Sequence, residues 1–207
     1  MVFSLCSFQP SHLQLFSFRM MLKMNHKTEA SKEKWMVRKA KRDGMVMPSW
    51  FDIHEIPVTA SSPQDESGLL KAVRNVHAII DKEIAAGTNP NNVFVCGFSQ
   101  GGALTLASVL MYPKTLGGGA VFSGWIPFNS SMPEQFPSDA AKTPILWSHG
   151  MADKTVLFEA GQAGPPFLER AGVTCEFKAY PGLGHSISNE ELRHLESWIK
   201  ARLQSSS

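Results

Sequence analysis

The chain has 207 residues, of which 43% are hydrophobic and 18% are charged. This composition is typical of a globular protein, and the length suits a single domain with a substantial core. The net charge of +2 is unevenly placed: residues 1–44 carry nine Lys/Arg and three Asp/Glu (+6), whereas residues 45–207 carry eleven and fifteen (−4). The acidic balance of residues 45–207 argues against nucleic-acid binding by that part of the chain.

The cysteines and the apolar runs argue against further classes of protein. Cys6, Cys96 and Cys175 are odd in number and widely spaced, and two of them lie in apolar, strand-like runs. This pattern indicates small buried side chains in a reducing compartment, and it predicts neither a disulfide framework nor a metal site. No apolar run approaches the roughly 18 residues that a membrane-spanning helix needs, so we predict no stable membrane insertion.

Residues 1–44 are predicted to form an atypical basic leader that is poorly ordered. Residues 1–28 contain no acidic residue, but they lack the basic start of a secretory signal and are not Arg-rich. A targeting peptide, improvised strands and a disordered tail are therefore all open interpretations. Residues 27–42 form a basic cluster, which we interpret as a helical, solvent-exposed tail in preference to a nuclear-import segment or a segment that binds an anionic surface.

From Met45 onwards the sequence alternates between strand and helix patterns. Turn-prone Pro48-Ser49 comes first. Strands are predicted at residues 93–96, 120–123, 145–148 and 173–180. Helices are predicted at residues 69–84, from Gly101 towards Pro113, at 158–170, and after a capping box at Ser188–Glu191. Strands that alternate with helices through short turns predict an α/β domain over residues 45–207, with a parallel sheet covered by helices on both faces.

The most informative stretch is Gly97-Phe98-Ser99-Gln100-Gly101, which has the G-x-S-x-G pattern between a predicted strand and a predicted helix. Ser99 must lie on a turn so sharp that a Cβ at position 97 or 101 would collide with the neighbouring strand and helix. The helix that starts after Ser99 directs unpaired N–H groups and the positive end of its dipole at any anion that forms there. We therefore predict a nucleophilic serine at position 99 and an oxyanion donor at the Gln100 N–H.

Three predicted strand ends offer Ser99, Asp153 and His185, in the chain order expected of an α/β-hydrolase triad. A serine hydroxyl is a poor nucleophile until an imidazole takes its proton, and a carboxylate then fixes the tautomer and stabilises the imidazolium. His185 follows a strand on a glycine-flanked loop that can reach Ser99. The strongest rival, His149, is expected to turn the chain so that Asp153 faces inward. His194 lies in the last predicted helix and is expected at the surface.

Several ordered motifs resemble the acyl-protein thioesterase/carboxylesterase family of α/β-hydrolases, most closely its plant members. They are Met47–Asp52, Gln64–Gly68, Gly97–Gly102, Trp125–Pro127, His149-Gly150 with Asp153, and Gly184–Ser186. The resemblance covers about residues 45–203. It implies hydrolysis of a small acyl ester or an S-acylated protein by Ser99, Asp153 and His185, without cofactor or metal, in a cytoplasmic enzyme.

The chain departs from the family pattern in two places. Leu157 stands where such sequences usually carry Pro, a difference expected to shift the loop that lines the acyl groove. Before Met45, the family's opening strands and its His-Gly-x-Gly-Asp oxyanion loop are not found, so the fold is expected to be N-terminally incomplete. Loss of one oxyanion donor typically costs about 2.7–4 kcal/mol in the barrier to turnover. The strand at 93–96 is also expected to become an open sheet edge, which favours aggregation or an oligomer.

Two hypotheses of function follow from this pattern. One is a working esterase or thioesterase that forms an acyl-enzyme on Ser99. The other is a catalytically inactive homologue that acts at most as a ligand- or protein-binding module. The triad favours the first hypothesis, and the missing loop favours the second. An apolar set could hold an acyl chain or simply pack in the core: Ile126, Phe128, Met132, Phe136 and Leu157.

Overall fold

A five-stranded sheet forms the centre of the molecule in the computed structural model, which describes residues 3–7, 38–42, 45–129 and 136–205. The strand order is β1-β4-β5-β6-β7. Strands β4 to β7 are parallel, whereas β1 runs antiparallel to β4. The seven strands are β1 (Phe3–Ser7), β2 (Arg38–Arg42), β3 (Met45–Ser49), β4 (Val93–Phe98), β5 (Gly118–Phe122), β6 (Ile145–Gly150) and β7 (Cys175–Tyr180).

Helices cover both faces of the sheet, which confirms the predicted α/β class. The helices are α1 (Glu66–Ala85), α2 (Gln100–Leu110), α3 (Phe158–Gln162), α4 (Gly164–Arg170) and α5 (Asn189–Ser205). Side chains alternate along β4: Val93 and Val95 join the core beneath α1 and α2, whereas Phe94 and Cys96 join the core beneath α5. None of the helices within the described residues has the length and apolar character needed to cross a membrane.

Local signals fix where several helices begin. The Asp65 side chain caps α1 by accepting the Gly68 N–H at 2.9 Å. The predicted capping box of α5 is present, because the Ser188 N–H donates to Glu191 Oε2 at 2.7 Å and the Glu191 N–H donates to Ser188 Oγ at 3.2 Å. The helix predicted at 158–170 is instead two helices. It breaks because Pro165 and Pro166 lack the N–H that a helix interior needs, and they fit only the first turn of α4.

The predicted open edge at the strand of Ser99 is wrong. β1 pairs with β4 over its whole length, from Phe3 opposite Gly97 to Ser7 opposite Val93. Residues 3–7 therefore belong to the same sheet as the strands that follow residue 45, and the reason to expect aggregation at this edge no longer holds. The division of the chain at residue 44 stays a prediction.

The helix predicted at residues 27–42 is wrong for its last five residues. Arg38–Arg42 is strand β2, and it pairs antiparallel with β3 from Arg38 opposite Ser49 to Arg42 opposite Met45. The intervening dipeptide Asp43-Gly44 favours a two-residue hairpin turn between strands over the end of a helix. The rest of the predicted helix lies outside the described residues.

Candidate active site

Ser99 occupies a strained turn between β4 and α2. Its backbone has a positive φ of 59°, a conformation that non-glycine residues rarely adopt and that is found mainly where surrounding structure enforces it. The turn is held because the Ser99 N–H donates to the Phe122 carbonyl of β5 at 2.8 Å. A Cβ on Gly97 would overlap the Gly101 carbonyl, so glycine at position 97 is required by the close approach of strand and helix. The same argument at Gly101 stays a prediction.

His185 lies between Ser99 and Asp153 and contacts both through its two ring nitrogens. Nδ1 is 2.7 Å from Asp153 Oδ2, and Nε2 is 3.0 Å from Ser99 Oγ. A carboxylate can only accept, so Nδ1 carries the hydrogen and Nε2 is free to accept the serine hydroxyl. The structure therefore brings the three residues predicted from the strand ends into one hydrogen-bonded chain, in the orientation that general-base activation of Ser99 requires.

Asp153 is buried, with 4% of its surface exposed, and each of its carboxylate oxygens has partners. Oδ1 accepts the backbone N–H groups of Thr155 at 2.8 Å and Val156 at 3.0 Å, while Oδ2 faces His185. Two backbone donors fix the rotation of the carboxylate, so the oxygen presented to the imidazole is set by the turn that follows β6.

His149 is fully buried behind Asp153 and fits the structural role expected for it. Its Nε2–H donates to the Val156 carbonyl at 3.0 Å and lies 3.7 Å from Asp153 Oδ2. Burial lowers the pKa of His149, although the Val156 carbonyl and the Asp153 carboxylate partly oppose this. A neutral imidazole therefore ties the two ends of the 150–156 turn together.

Two further histidines, His77 and His194, lie away from Ser99. His77 is half-buried between α1 and α2, where its Nε2–H donates to the Ser108 carbonyl at 2.8 Å. His194 in α5 contacts Glu176 at 2.8 Å and the Tyr180 hydroxyl at 3.4 Å. Neither contacts a residue of the Ser99–His185–Asp153 chain.

Gln100, predicted as an oxyanion donor, is the first residue of α2 and is fully buried. Its N–H is one of the helix-start groups that have no intrahelical acceptor, and no described atom accepts it. The Gln100 side chain has a second role that sequence reasoning missed. Nε2 donates to the Phe51 carbonyl at 2.6 Å and to Ser49 Oγ at 2.9 Å, and Oε1 accepts the Trp50 N–H at 3.1 Å.

Phe98 is a second residue that the sequence argument passed over. It ends β4, and its ring lies 4.6 Å from the His185 ring, centroid to centroid, at an angle of 40°. Phe98 is half-buried and packs with the core beneath α5, as strand alternation from Phe94 and Cys96 requires. The only sequence signal was its place inside the G-x-S-x-G motif.

A cleft of about 460 Å³ opens beside the loop after β5, with aromatic residues Trp125, Phe128 and Phe167 among its walls. Phe128 is buried and contacts Phe136 at 5.3 Å and Phe167 at 6.1 Å between ring centroids. Of the apolar set predicted to hold an acyl chain, Ile126 and Phe128 line this cleft, and Phe136 packs against the core. Met132 lies outside the described residues.

Leu157, the predicted departure from the family pattern, precedes α3. Its N–H donates to the Val58 carbonyl at 2.9 Å, beside a parallel bridge between Val58 and Val156. A proline at this position would have no N–H to donate. The substitution thus adds a backbone hydrogen bond between the turn that carries Asp153 and the segment before α1.

Comparison with known proteins identifies the family of the chain. The family model described as Phospholipase/Carboxylesterase matches residues 20–203, so the match begins upstream of residue 45, where the resemblance was predicted to start. The probable carboxylesterase SOBER1-like of Arabidopsis thaliana is 80% identical over 164 residues, which are 79% of this chain and 63% of that protein. The chain thus spans less than two thirds of this relative.

Another relative and a solved structure extend the comparison. A probable inactive carboxylesterase of Oryza sativa subsp. japonica is 55% identical over 163 residues, covering 79% of this chain and 66% of that protein. The crystal structure of Arabidopsis thaliana SOBER1 matches with a TM-score of 0.79 and 70% identity, over 81% of this chain and 80% of that one. The chain belongs to the phospholipase/carboxylesterase family and has the α/β-hydrolase fold.

Proposed function

We propose that this protein is a serine hydrolase that cleaves carboxylic esters or acyl thioesters through an acyl-enzyme on Ser99. The observation that carries the proposal is the hydrogen-bonded chain from Ser99 Oγ through His185 to Asp153 Oδ2, at 3.0 and 2.7 Å. The family to which the chain belongs supports the same chemistry. No cofactor or metal takes part in the proposed reaction.

The reaction follows from the positions of the three side chains. Ser99 Oγ attacks the acyl carbon while its proton moves to His185 Nε2, and Asp153 stabilises the imidazolium that results. His185 then returns the proton to the departing alcohol or thiol, which leaves the acyl group on Ser99. A water molecule, deprotonated by His185, attacks this ester, and the carboxylic acid is released when the proton returns to Ser99 Oγ.

The Gln100 N–H is the proposed oxyanion donor of this reaction. It lies at the start of the 11-residue helix α2, where the helix dipole favours negative charge. In the resemblance drawn from the sequence, a second donor comes from an upstream loop that was not found before Met45. One donor in place of two predicts turnover about 10²–10³-fold below that of an enzyme with both.

A catalytically inactive homologue is the second candidate. The observation that favours it is the strand beside β4: antiparallel β1 lies where the family was expected to place the strand that leads to its oxyanion loop. A 55% identical rice relative bears the name of a probable inactive carboxylesterase. In this case the site would bind an acyl ligand or a protein without turnover.

Covalent labelling separates the two candidates. The folded chain and its Ser99→Ala variant are incubated with a fluorescent fluorophosphonate, and a cooperative thermal melt shows that both are folded. We expect labelling of the wild-type chain and none of the variant. Folded wild-type protein that takes no label would rule out the hydrolase and leave the binding module.

The substrate is proposed to be a small acyl ester or an S-acylated protein whose acyl chain lies in the cleft walled by Trp125, Phe128 and Phe167. Hydrolysis of a series of acyl esters of increasing chain length tests this proposal. Because Phe128 and Phe167 form the wall, Phe167→Ala should change the chain-length preference more than the rate on the shortest ester. An identical preference in the variant and the wild type would contradict the assignment.

We also propose a cytoplasmic location. Cys96 is a buried free thiol and Cys175 a half-buried one, and burial raises the pKa of the Cys175 thiol to about 12, which keeps that thiol protonated and unreactive. Free thiols are typical of proteins in a reducing compartment. The acidic balance of residues 45–207 supports the absence of nucleic acid among the partners. Imaging of the chain fused to a fluorescent protein at its C-terminus tests the location, and an organellar pattern would contradict it.

A further inference from the structure

The two hydrogen bonds of the His185 imidazole do not by themselves prevent the ring from rotating. Asp153 and Ser99 lie at opposite edges of the ring, so their bonds fix its nitrogens but do not cover its faces. The His185 side chain is 19% exposed, whereas that of Asp153 is fully buried. A histidine at a site boundary needs a further contact to keep its ring from turning towards solvent.

Phe98 supplies a contact to a face of this ring. The 4.6 Å centroid separation and 40° tilt place the aromatic ring against the imidazole, not at its edge beside a nitrogen. Phe98 cannot easily move, because it ends β4 and packs with the core beneath α5. Ile187, two residues after His185, packs against the same core, so the histidine loop and the ring that supports it share one anchor.

An aromatic ring also suits the charge that His185 must carry. In the proposed reaction the imidazole becomes positive twice in each cycle, and the face of an aromatic ring attracts a cation. Among the described residues, two titratable groups lie near His185: the Asp153 carboxylate, which favours the imidazolium, and His149, whose pKa is lowered by burial. A leucine of similar size would fill the space without the flat, electron-rich face.

We propose that Phe98 is a positioning residue that holds the His185 imidazole in the plane from which Nε2 reaches Ser99. This inference rests on the proposed hydrolase function, since the ring position matters most when a proton has to be transferred. The residue that precedes Ser99 in the G-x-S-x-G motif thus acts on the histidine, from the face of the sheet that α5 covers.

The test compares Phe98→Leu, Phe98→Tyr and the control Phe177→Leu. Phe177 is also a half-buried strand residue, but its ring contacts Phe158 at 6.2 Å and no histidine. The measurements are kcat and KM on a short acyl ester, the rate of fluorophosphonate labelling and the melting temperature. Phe98→Leu should lower kcat and the labelling rate about 10- to 100-fold, as expected for a misplaced catalytic group, with KM within about twofold.

Phe98→Tyr keeps the aromatic ring and should retain most of the wild-type kcat and labelling rate. Phe177→Leu should leave both quantities unchanged. Equal losses in the leucine and tyrosine variants, or wild-type rates in a folded Phe98→Leu variant, would overturn the proposal. A readout that needs no activity is the low-field proton NMR signal of the Nδ1–H bonded to Asp153. This signal should broaden or vanish in Phe98→Leu alone, even if the wild-type chain does not label and the hydrolase function fails.

Discussion

The site is built from two halves that are held together in different ways. The triad half lies at the carboxyl ends of β4, β6 and β7, and backbone bonds between neighbouring strand ends join its parts, such as Ser99 N–H to the Phe122 carbonyl. The N-terminal half, residues 3–7 and 49–51, contacts β4 through the β1–β4 ladder and contacts the residue after Ser99 through the Gln100 side chain, which bonds Trp50 and Phe51. The triad geometry is therefore formed by residues 93–185, whereas support for the nucleophile strand comes from distant parts of the chain.

Removal of residues 1–9 should have the largest effect of the changes considered, because it deletes the β1 part of the N-terminal half. β4 would lose its partner over Val93–Gly97 and expose unpaired backbone groups, which promotes edge-to-edge association. We expect loss of the cooperative melt and formation of oligomers, measured by calorimetry and size-exclusion chromatography. A shortened chain that melts as a monomer at the wild-type temperature would show that β4 does not need β1.

Proline substitutions provide the internal control for this deletion. In an antiparallel pair, successive N–H groups point alternately towards the partner strand and away from it. Pro placed singly at Ser4, Leu5 and Cys6 should therefore give alternating losses, about 1–3 kcal/mol where the N–H faces β4 and less where it faces away. Equal losses at all three positions would argue against the pairing of β1 with β4.

Gln100→Ala should break the second link between the halves. The variant removes the bonds that the Gln100 amide makes to the Phe51 carbonyl, which keeps the Ser49 hydroxyl, and to the Trp50 N–H, so the free energy of unfolding should fall by about 1–3 kcal/mol. The Gln100 backbone N–H remains, and labelling of Ser99 should persist. Gln64→Ala is the matched control. The Gln64 amide donates to the Phe128 carbonyl over a distance of 2.7 Å, and this bond does not involve residues 49–51. Denaturant titration of both variants measures the difference, and equal losses would show that Gln100 has no special role.

The triad half should respond to pH through His149. Burial lowers the pKa of His149 in the folded protein, so below about pH 6.5 the unfolded chain binds a proton that the folded chain refuses. The contribution of His149 to the free energy of unfolding should therefore be fully present well above pH 6.5. It should fall as the pH drops below that value, by at most about 1.4 kcal/mol per pH unit. Denaturation of the wild-type chain and His149→Phe at pH 7.5 and 5.5 should give a shallower pH dependence in the variant.

His77 contributes to the same pH dependence, because burial also lowers its pKa. A His149→Phe variant should therefore keep part of the loss at low pH. His77 is far from the turn that carries Asp153, so a His77→Phe variant should alter stability without altering the rate at which Ser99 is labelled. If His149→Phe kept the full pH dependence of the wild type, the His149 imidazole of the wild-type protein would have to accept a proton in the folded state as readily as in the unfolded state.

Leu157→Pro should have the smallest effect. The φ of −59° at Leu157 suits proline, which restricts the unfolded chain and stabilises by about 0.4–1 kcal/mol. The lost bond from the Leu157 N–H to the Val58 carbonyl costs about 0.5–1.5 kcal/mol. The two terms nearly cancel, so the urea midpoint should barely move, and a large loss would mean that this bond is a main link between the halves.

Local sequence patterns are sufficient to predict the triad half of the site, but they are insufficient to predict the N-terminal half. The strands at 93, 120, 145 and 173 and the order of Ser99, Asp153 and His185 follow from apolar runs that end in polar residues, because parallel strands gather their carboxyl ends at one edge. The pairing of β1 with β4 joins residues about 90 positions apart, and a five-residue run such as Phe3–Ser7 does not specify its partner. The side-chain contacts of Phe98 and Gln100 depend on that three-dimensional packing in the same way.

The two backbone N–H groups that donate to Asp153 Oδ1 would also set the orientation of an asparagine amide at position 153. In Asp153→Asn, the Thr155 and Val156 N–H groups can be satisfied only by the amide oxygen, so the NH₂ group must face His185. The imidazole would then accept at Nδ1 and carry its hydrogen on Nε2, where it meets the serine hydroxyl donor to donor. Every atom would stay near its place, yet kcat should fall about 10⁴-fold.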